Sequence, residues 1–169
     1  MADKKSKPTQ PKDLLDELFQ RRDVERERIK KSVKVIKGKQ LPPEVNKMGK
    51  YRWYLHPALE PTAIRTILFW TQEIPPGSHS GKQKHQGGRV HFVKEGKGYT
   101  VVDGVKHEWE KGDVILIPIK PNGVVFQHFN TDTEKAAVLV ASEPNWYDAL
   151  GVDMGAGFEQ LENAPEYKA

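Results

Sequence analysis

The 169-residue sequence has no cysteine. That excludes a disulfide scaffold, a zinc ribbon and a thiol nucleophile, and it leaves His, carboxylate, amide or water to hold any metal. Apolar residues are few, at 37%, and mean hydropathy is −0.69, so any core must be concentrated in part of the chain. No stretch approaches the ~18 consecutive apolar residues of a membrane span. The opening segment MADKKSKPTQPK is basic but runs into no apolar stretch, so the sequence predicts no secretory leader, no membrane association and a cytoplasmic location. Helix-forming sequence is scarce beyond the first third of the chain.

The formal charge of +4 divides unevenly. Residues 1–50 carry 15 Lys+Arg against 8 Asp+Glu, while the remaining 119 carry 12 against 15. The basic character therefore belongs to an N-terminal arm. Within it the signs alternate, as in Arg21-Arg22-Asp23-Val24-Glu25-Arg26-Glu27-Arg28, and such a run reads as a solvated helix and not as a nucleic-acid surface. The spacing predicts a helix over about 13–31, opened by Asp13, with Leu14, Leu15, Leu18 and Phe19 on one face. A helix with so short an apolar face needs something to dock on: the body, a second copy or another protein. Gly38, Pro42, Pro43 and Gly49 mark an extended connector that completes a 1–50 arm.

From Tyr51 short β-prone runs alternate with turn residues: 51–55, 63–73, 89–93, 98–102, 105–109, 114–117, 124–130 and 136–142. Asp103-Gly104 between two alternating runs is a two-residue hairpin signal. Eight close strands without intervening helices predict an all-β jelly-roll barrel over 51–144. The segment 145–169 is a C-terminal extension, opening with a short helix around Trp146, Tyr147, Ala149 and Leu150 and ending in a loosely packed tail.

The turn residues of the predicted barrel form a pattern. Gly77 plus five residues reaches Gln83, then His85, then three residues to Arg89 and six to Gly96; Gly112 plus five reaches Pro118, and Gly123 plus two reaches Phe126, with Asn130 four residues on. The segment from about Ile74 to Ser142 resembles the two motifs of the cupin family, with three additional residues between Pro118 and Gly123. The resemblance implies a cupin-type double-stranded β-helix. In metal-dependent cupins four motif positions ligate the metal; here they read Gln83, His85, Arg89 and Phe126. Phe ligates nothing and Arg is a permanent cation, so the standard four-ligand site is absent.

Strand alternation places His91 two residues from Arg89 and His128 two from Phe126, on the same face as the displaced ligands. His85, His91 and His128, with Gln83 or water, are a candidate shifted site for Fe(II) first, with Mn, Ni or Zn as other choices. Hydrogen-bonded histidines in a metal-free barrel are the alternative. A guanidinium inside a barrel needs an anion, and Arg89 is assigned either a ligand carboxylate or phenolate, or an internal salt bridge to Glu73, Glu95 or Glu108. Residues 83–88 read as a polar loop, with Lys84 and Gln86 as further ligand contacts. Phe126, Phe92, Phe129, Trp70 and Trp109 supply apolar walls. His79 and Ser80 read as surface loop residues, and His56 and His107 as structural or exposed.

The stretches 85–104 and 127–130 look like single-domain cupins akin to gentisate-type ring-cleaving dioxygenases. That likeness implies histidine-bound Fe(II) and a small aromatic or carboxylated ligand, in aromatic-compound catabolism. Some hydroquinone dioxygenases pair a small cupin with a larger catalytic one, which implies the alternative of a non-catalytic, metal-free supporting subunit with a larger cupin partner. The family also implies a homodimer. Metal-free epimerase chemistry needs a His/Tyr acid-base pair, and no spacing singles one out.

Overall fold

The computed structural model describes residues 13–59, 62–145 and 159–167. Helix α1 spans Leu14–Lys31, with Asp13 as its N-cap: the carboxylate accepts from the backbone N–H groups of Leu15 and Asp16. A single 3-10 turn at Gly38–Gln40 follows. Eleven strands come next: β1 Glu44–Asn46, β2 Gly49–Leu55, β3 Ile67–Ile74, β4 Lys82–His85, β5 Arg89–Glu95, β6 Lys97–Val102, β7 Val105–Glu110, β8 Val114–Ile117, β9 Val124–Asn130, β10 Ala137–Pro144 and β11 Glu159–Glu162. They form two antiparallel sheets in the orders β1-β2-β3-β10-β5-β8 and β11-β4-β9-β6-β7. This is the all-β jelly-roll barrel the turn pattern predicts.

Three strands go beyond the sequence reading. The sheet begins at Glu44 and not at Tyr51, because Val45 pairs with Lys50. The expected polar loop 83–88 is in its first part strand β4, hydrogen-bonded to β9. In the C-terminal extension, β11 adds to the outer edge of β4. The expected helix at 146–150 lies outside the described residues.

The hairpin at Asp103-Gly104 forms as the sequence predicts. Both residues take positive φ, 48° and 86°, the left-handed pair that a tight two-residue turn requires. Alternation then sends every second side chain inward: β10 alternates buried and half-buried along its whole length. One apolar cluster gathers Ile74, Val93, Trp109, Ile117, Phe126 and Leu139; a second gathers Met48, Tyr51, Leu68, Trp70 and Ala141. Polar side chains take the remaining interior positions. Gln72, Gln83, His85, Arg89, His91, Thr100, His128 and Glu143 are all buried. A chain that normally keeps such groups in water has placed eight of them inside one barrel, and that concentration marks the site.

Candidate functional site

Four strands deliver the residues grouped around Arg89 and the histidines. The alternation of β4 turns Gln83 and His85 inward, that of β5 turns in Arg89 and His91, β9 supplies Phe126 and His128, and β10 supplies Glu143. Gln83 lies directly opposite Phe126, and His91 opposite Ala141.

Arg89 is 4% exposed. Its Nε donates to Glu143 Oε2 at 2.6 Å and its Nη1 donates to Gln83 Oε1 at 2.9 Å. The guanidinium carbon sits 5.1 Å from the Trp70 ring centre and 5.2 Å from that of Phe126, so aromatic faces flank the cation. The internal partner is thus Glu143, and none of the three carboxylates expected from sequence. Glu73 holds Lys50, Glu95 holds Lys111 and Glu108 holds Lys106. Glu95 and Glu108 are exposed and Glu73, between inward Gln72 and Ile74, points away from the interior. Glu143 was legible in the alternation, two residues beyond Ala141 and four beyond Leu139, but it stands outside the motif spacing.

His85 accepts the backbone N–H of Gly87 at Nδ1, 3.0 Å, and points Nε2 at Glu143 Oε2, 3.4 Å. The proton of the neutral ring therefore sits on Nε2. Burial, reinforced by Arg89, pushes its pKa down to about 3. His128 belongs to a separate chain of hydrogen bonds. Trp109 Nε1–H donates to Thr100 Oγ1 at 2.9 Å, and Thr100 Oγ1 lies 2.7 Å from His128 Nδ1. Trp109 is donor only, so the threonine accepts from it, and the link to His128 Nδ1 takes its direction from the tautomer of that ring. His128 Nε2 is buried with no hydrogen-bond partner among the described residues, as is Nδ1 of His91, whose ring packs edge-on against His128 with centres 4.5 Å apart. Burial pushes His128 down to about 3 and His91 well below the imidazole range, with Arg89 adding to both.

These contacts decide how the four family metal positions fit a divalent ion. Phe126 offers no donor atom, the Gln83 oxygen accepts from Arg89, His85 has its Nδ1 lone pair engaged and its Nε2 protonated, and Arg89 places a fixed positive charge among them. Of the shifted set, His91 lies against His128, while His85 points at Glu143. Among the described residues no group of three or more His, Asp or Glu side chains is placed to hold a metal. The four family positions therefore do not offer the standard donor set, and a guanidinium occupies one of them.

The remaining expected contacts divide. Lys84, between inward Gln83 and His85, projects from the opposite face of β4. Gln86 is half-buried in the turn after β4, where its carbonyl accepts from Lys120 N–H. Ser80 is fully buried and not a surface residue: its hydroxyl accepts the backbone N–H of His128 at 3.0 Å and pins β9 in place. His107 is exposed, and His79 is half-buried beside Gln127.

Above the Arg89 cluster lies a cavity of about 660 Å³. Its walls include Tyr51, Trp53, Leu68 and Trp70, and Gln83, Arg89 and Glu143 also line it. Tyr51 and Trp70 stack with ring centres 6.1 Å apart. Nη2 of Arg89 has no hydrogen-bond partner among the described residues. Tyr51 and Trp53 were missed in the sequence because they fall before the motifs; their signal was an aromatic run, Tyr51-Arg52-Trp53-Tyr54, in a short alternating strand.

Comparison with known proteins agrees with this architecture. Residues 70–142 match the cupin domain model. A 91-residue stretch is 28% identical to a 5-aminosalicylate 1,2-dioxygenase of a Comamonas species; it is 54% of this chain and spans about a quarter, 24%, of that relative. Among solved structures, the polyketide cyclase RemF from Streptomyces resistomycificus superposes with TM-score 0.56 at 14% identity, over 80% of this chain and 88% of the other. A protein described as a predicted oxalate decarboxylase from Thermotoga maritima gives 0.52 at 23% identity, over 64% and 96%. An RmlC-like cupin from Shewanella frigidimarina gives 0.52 at 18%, over 67% and 91%. These neighbours share the fold and carry diverse printed activities, so the fold alone selects no chemistry. Motif turns, paired antiparallel sheets and the match over residues 70–142 together show that the barrel of this chain has the cupin fold.

Proposed function

We propose that the barrel binds a small planar aromatic ligand bearing a carboxylate or comparable acceptor, with Arg89 in place of a metal as the group that receives it. The observation that carries this reading is the Arg89 guanidinium, clamped by Glu143 through Nε and by Gln83 through Nη1, lining an aromatic-walled cavity. Each residue has a task. Trp53, Tyr51 and Trp70 give ring faces for stacking and exclude water. Glu143 neutralises the guanidinium and, through Nε, fixes its plane. Gln83 holds Nη1, so the remaining fork is aimed before any ligand arrives, which lowers the ordering cost of binding. The relative named for 5-aminosalicylate, itself an aromatic carboxylate, supports the ligand class. The reading places the protein in aromatic-compound handling, related to ring-cleaving cupins, without the standard metal site.

Intrinsic fluorescence tests it, because Trp53 and Trp70 line the cavity. Titration with aromatic acids such as salicylate and benzoate is expected to give saturable quenching, with aliphatic acids inert. Arg89→Lys, which keeps the charge and loses the planar fork, should weaken binding at least ~10-fold. Absence of saturable quenching by any aromatic acid, in folded protein, contradicts the reading.

A second reading rests on α1. Leu14, Leu15, Leu18 and Phe19 are 44–62% exposed, and no residue of the helix is buried. Its C-terminal end is tied down by Arg28 Nη1 donating to the Thr62 carbonyl at 2.5 Å and by the Val33–Thr62 bridge. An apolar helix face standing clear of the barrel suits a supporting subunit that docks on a larger cupin partner.

A further inference from the structure

The cavity above Arg89 has two ends. Its floor is buried: Gln83, Arg89 and Glu143 lie there, with Trp70 beside them. The same cavity reaches half-buried Trp53 on β2, half-buried His56 in the turn after that strand and exposed Lys47 in the turn before it. A row of ring contacts joins the two ends. The Arg89 guanidinium carbon lies 5.1 Å from the Trp70 ring centre, Trp70 and Trp53 are 5.4 Å apart, and Trp53 and His56 are 5.1 Å apart and edge-on. Two indoles thus stand in sequence between the guanidinium and the imidazole. A cavity of about 660 Å³ is in the range that holds a drug-sized molecule, so a single benzoate leaves part of it unfilled.

The fold holds His56 in one tautomer. Its Nδ1 accepts the backbone N–H of Ala58 at 3.0 Å and its carbonyl accepts that of Leu59 at 2.9 Å, which closes the turn. A neutral ring that accepts at Nδ1 carries its proton on Nε2, so the imidazole is a donor there. No protein group among the described residues takes that proton. Trp53 is fixed as well: its Nε1–H donates to Glu44 Oε2 at 3.1 Å, so stacking is what it offers a ligand. The charges agree with this arrangement. Glu143 is the only carboxylate among the described lining residues and Arg89 engages it, while Lys47 adds a second cation at the outer end. The side-chain oxygens of Gln83 and Asn46 are also engaged, by Arg89 and by the Met48 N–H. Both ends of the cavity therefore call for an acceptor.

We propose that His56 is a specificity-determining residue and that the ligand is a ditopic aromatic acid. One carboxylate meets Arg89, and a second carboxylate at the opposite end of the ring system accepts from His56 Nε2–H within the field of Lys47. The inference rests on the reading of Arg89 as the receiving cation and adds the far end of the molecule. A monoacid fills the floor and leaves the His56 donor to water, whereas a diacid exchanges that water for a charge-assisted hydrogen bond.

Calorimetric titration of the full chain near neutral pH with two matched pairs tests it: terephthalate against benzoate, and naphthalene-2,6-dicarboxylate against 2-naphthoate. The diacid of at least one pair is expected to bind ~10-fold or more tightly than its monoacid, the size of one hydrogen bond to a charged group. His56→Phe keeps a ring against Trp53 and removes the donor; it should erase the preference while monoacid affinity stays within about twofold. His56→Asp keeps an acceptor for the Ala58 N–H, as an aspartate does in such a turn, and puts a carboxylate where the donor was, so the preference should reverse. If His56→Phe fails to fold, His56→Asp decides. Equal binding of diacid and monoacid in both pairs, or a preference that persists in either folded variant, overturns the proposal. Monoacid binding that is sensitive to Arg89→Lys, with no diacid preferred, leaves the Arg89 reading standing and refutes this one; no binding of any acid refutes both.

Discussion

Arg89 and Glu143 meet at 2.6 Å with 4% and 3% of their surfaces exposed, so each offsets with its opposite charge much of the other's cost of leaving water. Removing one member of such a pair strands the other. Glu143→Ala is expected to destabilise the fold by about 3–5 kcal/mol in urea denaturation, because it leaves an uncompensated buried cation. The double variant Arg89→Met with Glu143→Leu should recover most of that loss, since apolar replacement of both ions removes the desolvation cost as well as the attraction. Recovery by the double variant and not by either single one is the signature of a coupled pair. Sequence alone gave Arg89 and its need for an anion, and it supplied His85, His91, His128 and Gln83 as interior residues. It missed Glu143, because the choice among acidic residues depends on which strand returns beside β5. That neighbour is β10, which is distant in sequence.

At the scale of the elements, β6 runs between β9 and β7 in one sheet, and Gly98 stands where both neighbours come close. A Cβ built at Gly98 would lie 2.0 Å from the Phe129 carbonyl oxygen and 2.6 Å from the Trp109 ring. Gly98→Ala is therefore expected to cost more than ~3 kcal/mol, since the nearest obstacle is backbone and cannot swing away. Thr100→Val, in the same strand, strands the Trp109 N–H and His128 Nδ1 at once; a loss of about 1–3 kcal/mol is expected, with an altered Trp emission spectrum as its local sign. The strand framework was legible wherever apolar and polar residues alternate, and Gly77, Gly96, Gly112 and Gly123 do adopt the positive φ that turns demand. β4 was not legible. Its inward residues, Gln83 and His85, are polar because they build the site, so Lys-Gln-Lys-His shows no hydrophobic period and reads as a loop. β11, Glu-Gln-Leu-Glu, was hidden for the same lack of apolar alternation, and its role appears only through pairing with β4.

Taken as a whole molecule, the protein keeps three neutral imidazoles near one guanidinium, and that arrangement sets its response to acid. In the unfolded chain a histidine titrates near 6.5, whereas His85 and His128 in the fold are pushed down to about 3 and His91 also lies far below its ordinary value. Between those limits unfolding takes up protons, so the contribution of these residues to stability is whole above pH 6.5 and is lost as pH falls toward 3. Each can contribute a slope of at most about 1.4 kcal/mol per pH unit in that window. Urea midpoints are expected to fall steadily from pH 7 to pH 4, and His128→Gln should flatten the curve; a midpoint independent of pH over that range contradicts the burial of neutral imidazoles. The central claim is that a guanidinium replaces the family metal as the ligand-receiving cation. Calorimetric titration of an aromatic acid, with and without a strong chelator and alongside metal analysis of the same sample, tests it most directly. The account predicts equal affinity and stoichiometry in both titrations, with only trace metal in the protein. Near-stoichiometric metal, together with binding that the chelator abolishes, would contradict it.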